Sequence, residues 1–199
     1  MANLDAPSGL TPVGHLLGLN WIARGKVYYI AASDGVAYAA GDPVTLNGTG
    51  SALGVPGVVL ASAGTGNVIT GVFMGAGTVE GGPYLDPSNL NTTVIASTHT
   101  SGYYAYVIDD PYVIFQAQES DDSTALAATD IGNNANWILG TNNGYVSGGE
   151  IAETGVTTTA TLQLKLLGLA RIPNNVFGHY AKWLVLINNH SYKAGVAGL

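Results

Sequence analysis

The chain has 199 residues, 47% hydrophobic and only 10% charged, which suits one well-cored domain and excludes a disordered chain. It contains no apolar run of about 18 residues able to cross a bilayer, and its net charge of −7 disfavours nucleic acid and anionic lipid as partners. The absence of cysteine rules out disulfides, thiolate metal sites and a cysteine nucleophile, and agrees with a reducing compartment.

The opening Met1-Ala2-Asn3-Leu4-Asp5-Ala6-Pro7 has neither the basic nor the apolar region of a secretory leader, so production in a cytoplasm is expected. Through residue 22, Pro7, Gly9, Pro12, Gly14 and Gly18 interrupt every helix or strand pattern, which predicts an extended N-terminal arm over residues 1–22. Leu4, Leu10, Val13, Leu16, Leu17, Leu19 and Trp21 make this segment too apolar for an idle tail. The arm is therefore expected to be ordered by lying on something else.

Residues 23–199 read as a single β-rich domain. Short runs of Val, Ile, Tyr and Leu alternate with clusters of Gly, Asn, Ser, Thr and Asp, the spacing of an all-β chain. Three dipeptides fit tight turns: Asp34-Gly35 between Lys26–Ala32 and Val36–Ala40, Asn47-Gly48 after Pro43–Leu46, and Asn143-Gly144 after Trp137–Leu139. Further strands are predicted at Gly57–Ser62, Val68–Met74, Thr93–Ser97, Tyr103–Ile108, Val113–Glu119, Thr161–Ile172 and Lys182–Asn188. Residues 75–91 and 120–130 read as irregular, the latter with one short helical turn within Ser123–Thr129.

Strand parity adds detail. Tyr103, Ala105 and Val107 share one face and Tyr104, Tyr106 and Ile108 the other, so this strand is expected to be covered on both sides. Leu162, Leu164 and Leu166 alternate with Gln163 and Lys165 as in a half-buried antiparallel strand, with Gly168 marking a bulge. Trp183-Leu184-Val185-Leu186-Ile187 is apolar on both faces and belongs in a core or an intersubunit seam. The fold expected is a β-sandwich or jelly-roll-like barrel, with a small Greek-key barrel as the second choice.

The bases are Arg24, Lys26, Lys165, Arg171, Lys182 and Lys193, so residues 27–164 contain no positive side chain and hold every acid except Asp5. The weakly basic ends suit an acidic protein surface. Catalytic motifs are missing. His15, His99, His179 and His190 stand far apart, without metal-ligand spacing. Asp109 and Asp110 adjoin on a strand and point to opposite faces, so they do not converge as an acid/base pair. Neither Gly48–Gly54 nor Gly71–Gly77 makes a nucleotide fingerprint, and no phosphate loop or nucleophile elbow occurs. A non-enzymatic protein without a cofactor or metal is expected.

The blocks Thr161–Lys165, Arg171-Ile172-Pro173-Asn174-Asn175 and Ala181–His190 resemble the ending of small virion structural proteins of tailed bacteriophages, the capsid decoration or cement proteins. Met1–Val13 and Asp109–Gln116 resemble the same group. The resemblance implies a virion protein, made in the host cytoplasm, that binds the major capsid protein on the exterior of the expanded head. It implies a homo-oligomer, trimer favoured and dimer possible. The capsid contacts expected are Leu4, Pro7, Leu10, Pro12, Val13, Leu16 and Trp21 in the arm, then Lys182, Asn188, Asn189 and His190. A carbohydrate-binding β module on the virion surface is the alternative, because Trp21, Trp137, Trp183 and eleven tyrosines are available for stacking.

Overall fold

Glycine-punctuated runs of β-branched and aromatic residues cannot sustain helices but pair readily as strands. A computed structural model describes residues 3–18, 24–78, 82–86, 90 and 92–196. In chain order the strands are β1 (Thr11–His15), β2 (Lys26–Ile30), β3 (Tyr38–Ala39), β4 (Pro43–Gly50), β5 (Pro56–Leu60), β6 (Gly71–Thr78), β7 (Val94–Ile95), β8 (Tyr103–Ile108), β9 (Val113–Gln118), β10 (Asn134–Ala135), β11 (Trp137–Ile138), β12 (Glu150–Ile151), β13 (Leu164–Leu169) and β14 (Lys182–Ile187). The protein is all-β. Among the described residues, helix is limited to one 3-10 turn at Ala128–Asp130.

Two layers carry the architecture. The first is a closed barrel in the order β2-β5-β4-β6-β8, with β2 and β5 meeting in parallel. The second is an antiparallel sheet in the order β1-β9-β14-β13-β10. Successive residues of a strand face opposite sides, and that parity explains how the layers join. In β6, Phe73 enters the barrel core with Tyr28, Ile30, Val44 and Val58. Its neighbour Val72 faces outward and packs with Phe115, Leu166, Trp183 and Val185 of the sheet. β8 does the same: Ala105 and Val107 fill the barrel, while Ile108 joins the sheet's core. One wall of the barrel is thus the second layer of a sandwich.

The parity readings hold for β8 and for Trp183, which is fully buried; Leu162, Leu164 and Leu166 are buried as expected, but the half-buried alternation fails at Gln163, which is fully buried as well and accepts from the Gly64 and Trp137 N–H groups. The β13–β14 register slips between Leu166 and Gly168, the bulge expected at that glycine. Two turn assignments need correction. Asp34-Gly35 does not close a hairpin, because β2 pairs with β8 and β3 pairs with β7. Asn47-Gly48 lies inside β4, where the register shifts between Leu46 and Gly50, with Gly48 at φ 72° and the Asn47 side chain accepting from the Thr49 N–H.

The free arm also needs correction. Residues 3–18 lie on the chain's own body, and β1 is the edge strand of the sheet, paired with β9. Leu10 is the reason, since its side chain is fully buried in the sheet's core and its N–H donates to the Gly41 carbonyl at 2.9 Å. Gly9 permits the approach: it adopts φ 66°, and a Cβ there would lie 2.5 Å from the Gly41 oxygen.

Candidate binding surface

The start of the chain is tied down by side-chain amides. The Asn3 Nδ2 donates to the carbonyls of Val176, Gly178 and His179 at 2.9, 3.1 and 3.0 Å, and the Val176 N–H donates back to Asn3 Oδ1. The Ala6 N–H donates to Gln118 Oε1 at 2.9 Å. Pro7 and Pro12 are half-buried along this path. A bulge between Pro12 and Gly14 turns Val13 outward, 46% exposed. Beyond it the Leu16 N–H donates to the Tyr112 carbonyl, and the His15 ring lies 6.2 Å from the Tyr112 ring. Val13, Leu16, Leu17 and Tyr112 form an apolar ridge here, with Leu16 48% and Leu17 63% exposed. His15 is held beneath it by Asp110 Oδ2 at 3.1 Å.

Of the expected arm contacts, Leu4, Val13 and Leu16 are exposed, Pro7 and Pro12 partly so, and Leu10 is in the core. Trp21 lies outside the described residues. The C-terminal group divides in the same way. Lys182 is half-buried at the start of β14, opposite Gln118. Asn188 spends its amide on the Ala160 and Leu162 carbonyls, both at 2.8 Å, and Asn189 donates to the Asn67 carbonyl at 3.1 Å. His190 is fully buried, with Nδ1 accepting from the Tyr192 N–H, and burial pushes its imidazole down to about 4. Asn188 and Asn189, both half-buried, thus use their amides within the fold, and His190 is enclosed by it.

A second surface was not legible in the pattern. The loop between β13 and β14 is braced by Asn175, whose Nδ2 donates to the Ala170 and Lys182 carbonyls while its Oδ1 accepts from the Lys182 N–H. The brace holds Ile172, Val176 and Phe177 at 41%, 50% and 45% exposure, next to Leu4 at 78%. The apolar pair Val176-Phe177 inside a Pro/Asn turn was the available signal.

Two buried carboxylates also escaped the sequence reading. Glu119, fully buried, accepts from Trp183 Nε1 at 2.9 Å and from the Leu126 N–H at 3.3 Å, and its Oε1 has no partner. Burial pushes its carboxyl up to about 7, with the charge of Glu153 adding to the effect. Glu153 accepts from His179 Nδ1 at 2.9 Å and from the Ser123 N–H at 3.0 Å. That contact raises the His179 imidazole above its ordinary value. At the other end of the sheet, Asp109 takes Lys26 Nζ at 2.9 Å and the Tyr28 hydroxyl at 2.8 Å, whereas Asp110 takes His15, so these adjacent acids serve different partners. Among the described residues no group of three or more His, Asp or Glu side chains is placed to hold a metal ion.

Trp137 and Trp183 are buried, at 1% and 0% exposure, which removes them as stacking platforms for a sugar. Comparison with protein-family models, with curated proteins and with solved structures finds no match.

Proposed function

We propose that this chain is a non-enzymatic structural protein of a tailed bacteriophage, a capsid decoration protein that binds the major capsid protein on the outside of the assembled head. The observation that carries the reading is the group of exposed apolar side chains Val13, Leu16, Leu17 and Tyr112, on and just beyond the end of an edge strand already fixed to the body. A ridge ordered in advance binds a flat protein lattice with little further loss of chain entropy. Isolated surface leucines are common, but a group of exposed apolar side chains anchored beside a braced strand marks an interaction surface. The resemblance of the N- and C-terminal blocks to cement proteins supplies the identity of the lattice, and location on the virion exterior follows from it.

The test is co-sedimentation with expanded, undecorated heads of the encoding virus. The triple variant Val13→Asp, Leu16→Asp, Leu17→Asp alters only exposed side chains. It is expected to lose about tenfold or more in affinity, from three lost apolar contacts. Undiminished binding by the folded variant would remove the ridge from the mechanism. Absence of the protein from purified particles would overturn the reading as a whole.

A further inference from the structure

We infer that the surface built by the β13–β14 loop, the start of β14 and Leu4 is the contact between two copies of this chain related by a two-fold axis. The inference uses residues outside the ridge that carries the capsid reading, and it assigns Leu4 and Lys182, expected above as capsid contacts, to the contact between copies.

Two clefts meet at Asn175. One, of about 360 Å³, lies between Leu4 and Ile172-Pro173, and the other, of about 480 Å³, lies between Phe177, Leu184 and Ile131. Together they make one strip, apolar at Leu4, Ile172, Phe177 and Leu184 with Asn175 at its middle, that no other described segment covers. The strip is preformed, because the Asn175 and Asn3 amides hold the loop from both sides. Preformed apolar area of this kind is the core of a stable contact, needing only a partner with matching shape and charge.

The charges identify that partner. On one flank Arg171 is exposed and belongs to no ion pair among the described residues; Lys182 lies nearer the middle and is likewise unpaired. The opposite flank is acidic. There Gln118 Nε2 donates to Asp5 Oδ1 at 3.0 Å and to Glu150 Oε1 at 2.8 Å, and the Tyr180 hydroxyl bonds Asp121 beside Asp122. These carboxylates crowd one another enough to help raise Glu150 above its ordinary value, behind the larger effect of burial. A uniformly acidic partner is repelled by this flank, and a uniformly basic one by Arg171 and Lys182. A surface with one basic and one acidic flank around an apolar strip is complementary to itself turned through a half-rotation, as an isologous contact requires.

Sedimentation equilibrium of the purified full chain tests this. The expected mass is twice 20.3 kDa. Arg171→Glu makes both flanks acidic, and the pair Asp121→Lys, Asp122→Lys makes the acidic flank basic. Each variant alone is expected to dissociate about tenfold or more readily, whereas a one-to-one mixture re-forms the dimer at close to the original affinity. Ile172→Asp, in the strip itself, is expected to weaken pairing by a similar factor. All of these are exposed positions, so the variants keep the fold, which circular dichroism checks. A monomer or a three-fold ring in the unmodified protein overturns the inference, as does a mixture that fails to pair.

Discussion

Replacing Glu119 by glutamine is expected to stabilise the protein above neutral pH and to leave it little changed in mild acid. The carboxyl is raised from 4.5 to about 7, chiefly by burial. A carboxyl raised in the folded state favours folding fully below its ordinary value, and that contribution is lost as pH climbs through the raised one. Folded and unfolded forms both hold the proton below 4.5, so no penalty exists there; it grows between 4.5 and about 7 and is constant above. At about 1.4 kcal/mol for each unit of pH between those values, ionising Glu119 in place costs about 3 kcal/mol. Relaxation of the surrounding loops toward water trims this to about 1–3 kcal/mol. The carboxamide of the Glu119→Gln variant keeps an acceptor for Trp183 Nε1 and the Leu126 N–H and carries no charge to bury. His179 adds a parallel dependence: its pairing with Glu153 favours folding below its ordinary 6.5 and fades as pH rises through its raised value. The Glu153 pairing persists in the variant, while the smaller contribution of the Glu119 charge to the His179 shift leaves with the carboxylate, so the difference between the two proteins reports Glu119 together with that coupling. Urea unfolding near pH 4.5 and at about pH 8 measures it, and a gain of about 1–3 kcal/mol at the higher pH corresponds to roughly 2–12 °C in Tm. An equal change at both pH values, or a loss at the higher one, would refute the assignment of Glu119 as a buried, proton-dependent group.

Leu10→Ala removes a fully buried side chain from the core between β1 and the barrel, and is expected to cost about 2–5 kcal/mol by denaturant unfolding. Gly9→Ala places a Cβ against the Gly41 carbonyl at φ 66° and should destabilise by about 1–3 kcal/mol, with little further loss when combined with Leu10→Ala, since both act on the same docking. Asn3→Ala removes the amide that joins the chain start to residues 176–179. Hydrogen exchange should accelerate at the Val176 N–H, whose acceptor is lost, and stay unchanged at the β8 amides of the barrel.

Strand content was legible because short apolar runs between glycine clusters have few alternatives to pairing, and β8, β9 and β14 fall where the runs place them. Partners were not legible. Parity says which residues share a face but not which strand lies alongside, so Asp34-Gly35 read as a hairpin although β2 closes the barrel against β8. The N-terminal segment misled for a related reason. Proline and glycine disqualify helix and weaken strand, yet Pro12 is tolerated on an edge strand and Gly9 is what lets Leu10 reach the core. At the candidate surface, Leu4, Val13, Leu16 and Lys182 were recoverable as apolar or basic residues near the ends. Asn188 and Asn189 were not separable from contact residues by type alone, because a carboxamide serves a neighbouring carbonyl as readily as a partner protein. Glu119 read only as the polar end of the strand Val113–Glu119, and the burial of its neighbours Gln118 and Ser120 is what reveals its setting.

The position of β14 has a consequence for synthesis. It comes last in chain order yet lies in the interior of its sheet, hydrogen-bonded to β9 on one side and β13 on the other. Until it leaves the ribosome, β9 has β1 on one side and an open edge on the other, while β13 can meet only the two-residue β10. From the appearance of β9 until β14 emerges, the nascent chain therefore exposes greasy, unpaired backbone, and chains released in that interval should aggregate or be degraded rather than accumulate as soluble fragments.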